Sequence, residues 1–150
     1  MSTVPTRLLL FSKQFARFYE RQFTPLLERT GLTMREVHVL LFLANNPGYD
    51  TARDVAEYRG LVKSQVSQAV DLLASRGLLR RTPDGGDRRV VHLAITEAGA
   101  PLAREAQAIQ ASCGRRLLAN LTPEEETQFR RLLETVLDNG AHLLEEETTP

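Results

Sequence analysis

Two groups of residues in this chain have types and spacings suited to chemistry, and both suit recognition better than reaction. Ser64, Gln65, Ser67 and Gln68 crowd one side of a segment with helical periodicity that Lys63 introduces. Asp87, Arg88 and Arg89 close a short polar loop that begins Thr82-Pro83-Asp84-Gly85-Gly86. An amide side chain offers a donor and an acceptor at fixed separation. Gln65 and Gln68 can therefore each pair bidentately with the edge of an adenine, while Ser64 and Ser67 can reach a base or a phosphate. Adjacent arginines on a flexible tip can lie along a narrow minor groove, whose potential attracts cations. A solvated amphipathic helix would carry the same Ser and Gln residues, so that segment alone leaves both readings open. The loop weighs against the plain reading, because an ordinary hairpin needs neither its length nor its charge.

The elements that must position these groups follow from periodicity and punctuation. Val66, Ala69, Val70 and Leu73 stand at i, i+3, i+4 and i+7, which predicts a helix from Lys63 to Arg76 with its polar side outward. Val62-Lys63 supplies no capping Ser, Thr or Asp, so the first residue is open by one or two positions. Thr51 is a fair N-cap for a short preceding helix, and Arg59-Gly60 breaks it. Gly77 ends the second helix. Leu78–Arg81 and Val90–Ile95 then read as two strands of a hairpin. Two short helices joined by a tight turn form a helix-turn-helix, whose second helix can enter the major groove of B-DNA.

Further helices flank this core. Residues 1–5 read as loose, and from Thr6 to Arg29 an apolar pattern contains Leu8, Phe11, Phe15, Phe18, Tyr19, Phe23 and Leu26, with a break expected near Pro25. Thr33-Met34-Arg35-Glu36 has the form of a capping box opening a helix to Ala44 that buries Val37, Leu40, Leu41 and Leu43. Thr96 is expected to cap a helix from Glu97 to about Asn120. Thr122-Pro123-Glu124-Glu125 starts another, whose stripe is Phe129, Leu132, Leu133, Val136, Leu137, Leu143 and Leu144. The apolar faces at the two ends exceed what one small helix-turn-helix could cover, so a second copy is expected to shield them.

Composition narrows the field. At 150 residues with zero formal net charge, the chain suits one domain, and its overall charge gives no support to nucleic-acid binding. Distribution is more telling. From Thr51 to Ile95 eight Lys or Arg face five Asp or Glu, whereas from Thr122 to Pro150 two face eight. A cationic middle beside an acidic tail fits a protein that meets phosphate on one face. Cys113 is the single cysteine, which excludes an intrachain disulfide and reads as a buried structural thiol. No apolar run approaches a membrane span or a signal segment, and the chain is expected to be cytoplasmic. His38, His92 and His142 are far apart in sequence, so no metal or other cofactor is expected. No nucleophile with its base, paired acid and base, or phosphate-cradling loop occurs, and an enzyme is not expected.

The succession of a helix, Gly77-Leu78-Leu79-Arg80-Arg81, a loop, Asp87-Arg88-Arg89, a strand and Ile95-Thr96-Glu97-Ala98-Gly99 closely resembles the MarR family of bacterial winged-helix transcription regulators. That family's wing carries a D-x-R pair, matched by Asp87 and Arg89. Its L-T-x-x-G run is matched with Ile95 in place of Leu. The resemblance spans essentially the whole chain. It implies a mainly α (α+β) winged helix-turn-helix with long N- and C-terminal dimerisation helices. The single domain would cover 1–150, with 33–96 meeting DNA and with 6–30 and 97–147 forming the helical dimerisation region. Lys63, Ser64, Gln65, Ser67, Gln68, Arg88 and Arg89 are the residues expected to contact DNA; the resemblance implies that Arg89 does so from the wing, with Asp87 orienting it or a neighbouring arginine. The protein would be a homodimer on a pseudo-palindromic double-stranded operator, a repressor relieved by a small effector, a molecule that in this family is often aromatic. Phe11, Phe15, Phe18, Tyr19 and His38 are the candidate pocket residues. The alternative reading is a winged-helix protein–protein interaction module on a dimeric helical scaffold.

Overall fold

A computed structural model describes residues 3–148, with the side chains of Leu144 and Thr148 outside that description, as are Met1 and Ser2 of the expected loose start. The chain divides into two compact units between Cys113 and Gly114.

The first unit begins with α1 (Val4–Gln22), which starts two residues earlier than the periodicity predicts. Pro5 explains the difference: in a first helical turn its missing N–H costs nothing and its fixed φ is already helical. The expected break near Pro25 occurs at Phe23, whose ring is fully buried, and α2 (Thr24–Thr30) restarts with Pro25 in its first turn.

At the centre lies α3 (Met34–Asn45), with Val37, Val39, Leu40, Leu41 and Phe42 all buried, whereas Leu43 is only half-buried against the core. The predicted capping box at its start does not form. Thr33 makes no side-chain cap bond, and Glu36 is 5% exposed with Oε2 lacking a hydrogen-bond partner. Burial of this helix nearly all round draws the Glu36 side chain inward, away from the Thr33 amide.

Around α3 pack α4 (Ala52–Arg59), α5 (Lys63–Ser75) and the hairpin. Thr51 closes a full capping box with Asp54, each backbone N–H bonded to the other's side chain at 3.1 Å. Gly60 ends α4 at φ 74°, a left-handed conformation that glycine adopts without Cβ strain. Val55, Val66, Ala69, Val70, Leu73 and Leu93 then join the α3 core. The strands β1 (Leu79–Pro83) and β2 (Val91–Ile95) are antiparallel, with Leu79 opposite Ile95 and Pro83 opposite Val91.

The next helix, α6 (Ala100–Leu117), starts later and ends earlier than expected. Residues 97–99 form a turn in which the Thr96 hydroxyl accepts the Gly99 N–H at 3.1 Å and donates to the Gly77 carbonyl at 2.6 Å. Asn120, at φ 72°, lies beyond the helix end. Gly99 is required by proximity: a Cβ there would stand 2.3 Å from the Leu78 carbonyl oxygen, a backbone atom that cannot swing aside. Gly99→Ala is therefore expected to destabilise the fold by about 1–3 kcal/mol, the usual cost of overpacking. Chemical denaturation checks this, and an unchanged midpoint would contradict the close approach.

The second unit holds the end of α6 and α7 (Pro123–Thr148). Here Thr122 and Glu125 do form a capping box, at 2.8 and 3.2 Å. Phe129, Leu132, Leu133, Val136, Leu137 and Leu143 are exposed along α7. In the first unit, Leu8, Leu9, Leu10 and Phe11 are exposed along α1. No helix among the described residues is long and apolar enough to cross a membrane.

Candidate nucleic-acid interface

The site is built from α5, the turn before it and the wing loop. Lys63, Ser64, Ser67 and Gln68 are exposed on α5 and Gln65 is half-buried, while Val66, Ala69, Val70 and Leu73 anchor the opposite face. Val62 occupies the N-cap position and gives no side-chain bond, so the first amide groups of α5 are left for solvent or an anion.

Two contacts not foreseen from the sequence shape this face. Arg81 of β1 holds the Asp71 carboxylate in an ion pair. That pairing offsets the charge of Asp71, the one acidic residue of α5, which lies on its exposed side. Arg35 of α3 approaches the Gln68 amide, with Nη1 3.5 Å from Oε1. Neither arginine carries a sequence signal for this role, since only the folded arrangement places α3 and β1 beside α5.

In the wing, the Asp87 carboxylate accepts the Arg89 backbone N–H at 2.9 Å. It also receives the Arg89 guanidinium through Nε at 3.2 Å and Nη2 at 3.1 Å. That arginine holds the Asp87 carboxyl below its ordinary pKa. Arg88 and Arg89 are both exposed. A groove of about 570 Å³ separates the wing from the start of α4, with Arg53 and Arg89 on its walls.

The loop itself is organised from its base. Asp84 Oδ2 accepts the backbone N–H groups of Gly86 at 3.0 Å and Asp87 at 2.9 Å, and Asp84 Oδ1 lies 2.7 Å from His92 Nε2. The bond from His92, then the two backbone bonds, pull the Asp84 carboxyl down to a pKa of about 2. The other ring nitrogen, Nδ1, lies 2.7 Å from Asp50 Oδ1. Both carboxylates, Asp84 first, raise the His92 pKa above its ordinary value.

The candidate pocket residues are arranged differently. Phe11, Phe15 and Tyr19 of α1 and Phe23 just beyond it form a ladder with successive ring centroids 5.0 to 6.0 Å apart, and Phe18 lies 6.2 Å from Phe15 at its side. Phe11 also lines a groove of about 460 Å³ with Val4, Arg7, Leu8, Leu10 and Gln14. The Tyr19 hydroxyl accepts a bond from Gln110 at 3.1 Å, and burial raises its pKa. His38 sits half-buried on α3, where burial and then the Arg59 charge lower its pKa to about 4, leaving a neutral imidazole at physiological pH. Cys113 is buried. Among the described residues no group of three or more His, Cys, Asp or Glu side chains could hold a metal ion.

With this geometry in view, the likenesses to known proteins are specific. Residues 30–90, which take in the helix-turn-helix and most of the wing, match the family model described as the MarR family. The homoprotocatechuate degradative operon repressor of Escherichia coli is 26% identical over 135 residues, covering 90% of this chain and 88% of that protein. The HTH-type transcriptional repressor Rv2887 of Mycobacterium tuberculosis is 28% identical over 104 residues, 69% of this chain and 74% of that one. Among solved structures, a MarR-family transcriptional regulator from Rhodococcus sp. RHA1 superposes with a TM-score of 0.69 at 26% identity. It covers 91% of this chain and 96% of its own.

Proposed function

We propose a mode of action that proceeds from one fact: this chain belongs to the MarR family of winged helix-turn-helix transcription regulators, and it is a DNA-binding regulator. Two copies join through the apolar faces of α1 and α7, and each presents one α5 to a half-site of a pseudo-palindromic operator. Ser64, Gln65, Ser67 and Gln68 read base edges, while Lys63 and the uncapped start of α5 meet phosphate. Arg88 and Arg89 enter the adjacent minor groove, with Asp87 fixing the Arg89 side chain. The carrying observation is the polar face of α5, cleared of free negative charge by the Asp71–Arg81 pair and flanked by the cationic wing.

Binding represses transcription, and a small aromatic molecule relieves it. The aromatic ladder of α1 supports that reading, as does the likeness to a repressor named for an operon that degrades homoprotocatechuate, an aromatic compound. Selection of bound fragments from a random duplex pool tests the DNA reading directly. It should return an inverted repeat, and affinity for that repeat should fall linearly with log salt concentration as counterions are released. A pool with no enriched motif would remove sequence-specific reading.

The wing carries its own test. Arg89→Ala is expected to weaken binding and to abolish most of the preference for A·T-rich flanks, since a narrow minor groove rewards an inserted guanidinium. A gel-shift series showing unchanged affinity on both A·T-flanked and G·C-flanked duplexes would exclude the wing from the interface.

A further inference from the structure

His92 occupies an unusual place for a histidine on a strand. Its two ring nitrogens point to two carboxylates from distant parts of the chain, Asp50 before α4 and Asp84 in the wing loop, each at 2.7 Å. Opposite it on β1 stands Thr82, which is uncharged, so Asp50 and Asp84 are the ionisable groups that act on the ring. A neutral imidazole has one N–H donor and one bare nitrogen, and an ionised carboxylate only accepts. Both contacts are hydrogen bonds only when the ring carries two protons. Asp84 does not supply the missing proton, because its oxygens already receive two backbone N–H groups that favour the ionised form.

The contacts form a continuous chain. The Asp50 carbonyl accepts the Leu93 N–H at 2.7 Å, which fixes β2 against the segment before α4. His92 then joins that segment to Asp84, and Asp84 gathers the N–H groups of Gly86 and Asp87. Asp87 in turn holds Arg89. We propose that His92 is a positioning residue for the wing, a protonation-dependent latch whose imidazolium ties Asp84 to Asp50 and so sets where Arg89 meets DNA. This inference rests on the wing reading given above.

The sign follows from linkage. The folded pKa of His92 lies above the ordinary value, so the stability the latch contributes is fully present below about pH 6.5 and is lost as pH rises through the raised value. DNA phosphate beside the wing favours the same charged form, so binding takes up a proton, and the affinity change equals the coupling between the two events.

Two measurements on the full-length protein test this. In the DNA-free protein, an NMR pH titration should show the Gly86 and Asp87 amide signals moving with the His92 ring. Asp50→Asn should lower their shared midpoint. In fluorescence anisotropy, wild-type affinity for an A·T-flanked operator duplex should fall at least about fivefold from about pH 6 to about pH 9. His92→Gln should flatten that profile, even though His38 and His142 remain in the chain. Amides that ignore the ring overturn the latch whatever the DNA does. Parallel pH profiles for wild type and His92→Gln overturn its role in binding. If no duplex binds at any pH, the wing reading falls and takes the positioning role with it, and the titration alone then judges the contact chain.

Discussion

Val136→Asp is expected to convert the protein from a dimer to a folded monomer and to weaken binding to a duplex with two half-sites by about a hundredfold or more. In the isolated chain the Val136 side chain is 62% exposed, so an aspartate there disturbs no core of its own protomer. The same exposure makes the position informative. Phe129, Val136 and Leu143 stand seven residues apart on α7 with Leu132 between them, the repeat that keeps one seam facing a partner helix. If a second copy covers that seam, the new carboxylate is taken out of water in an apolar stripe, which is costly. Losing the dimer removes the linkage between two reading helices, and linked binding typically exceeds single-site binding by 10²–10⁴-fold. Sedimentation and circular dichroism together give the answer: monomeric mass with retained helicity is the expected result. A variant that sediments as an intact dimer would place the interface elsewhere.

Much of the fold was legible in the sequence because its signals are local. The Val66–Leu73 spacing, the Gly60 turn and the Gly77 stop each act within a few residues, and α5 and the hairpin follow them closely. Misreadings arose where tertiary contacts override local chemistry. Thr33 and Glu36 have the letters of a capping box, yet Glu36 belongs to a helix turn drawn into the core. Thr122 and Glu125 carry an equivalent pattern on an exposed helix, and there the box closes. Similarly, α6 begins only at Ala100, after a turn in which the Thr96 hydroxyl bonds the Gly77 carbonyl at the far side of the hairpin.

The same distinction separates the parts of the candidate site. Gln65, Gln68 and Asp87–Arg89 stand out as residues because their types and neighbours suit the task. Asp50 and His92 do not, since 42 residues separate the two groups that meet at 2.7 Å. Arg81 and Asp71 likewise become a pair only when β1 folds back beside α5.

Helix α5 provides the other large effect. Gln68→Ala should cost about 1–3 kcal/mol at one base position, or roughly 5- to 150-fold in affinity, and should relax preference there. The side chain is exposed on the outer face of α5 and free of the protomer core, so truncation leaves the fold intact. Its amide also has a neighbour at the edge of hydrogen-bond range. Arg35 Nη1 lies 3.5 Å from Oε1, a long contact that turns the oxygen toward α3 and leaves Nε2 facing away from it. An adenine needs both ends of the amide, one donating to N7 and one accepting from the exocyclic amine. The long Arg35 contact occupies only one of the two lone pairs on Oε1, so that oxygen can still accept from the base. Measured against a panel of operator duplexes changed one base pair at a time, the variant should lose discrimination at a single symmetric pair of positions. It should keep discrimination at every other position. Equal weakening on the operator and on random duplex would instead mean that Gln68 meets the backbone, and reading would then rest on Gln65 and the two serines.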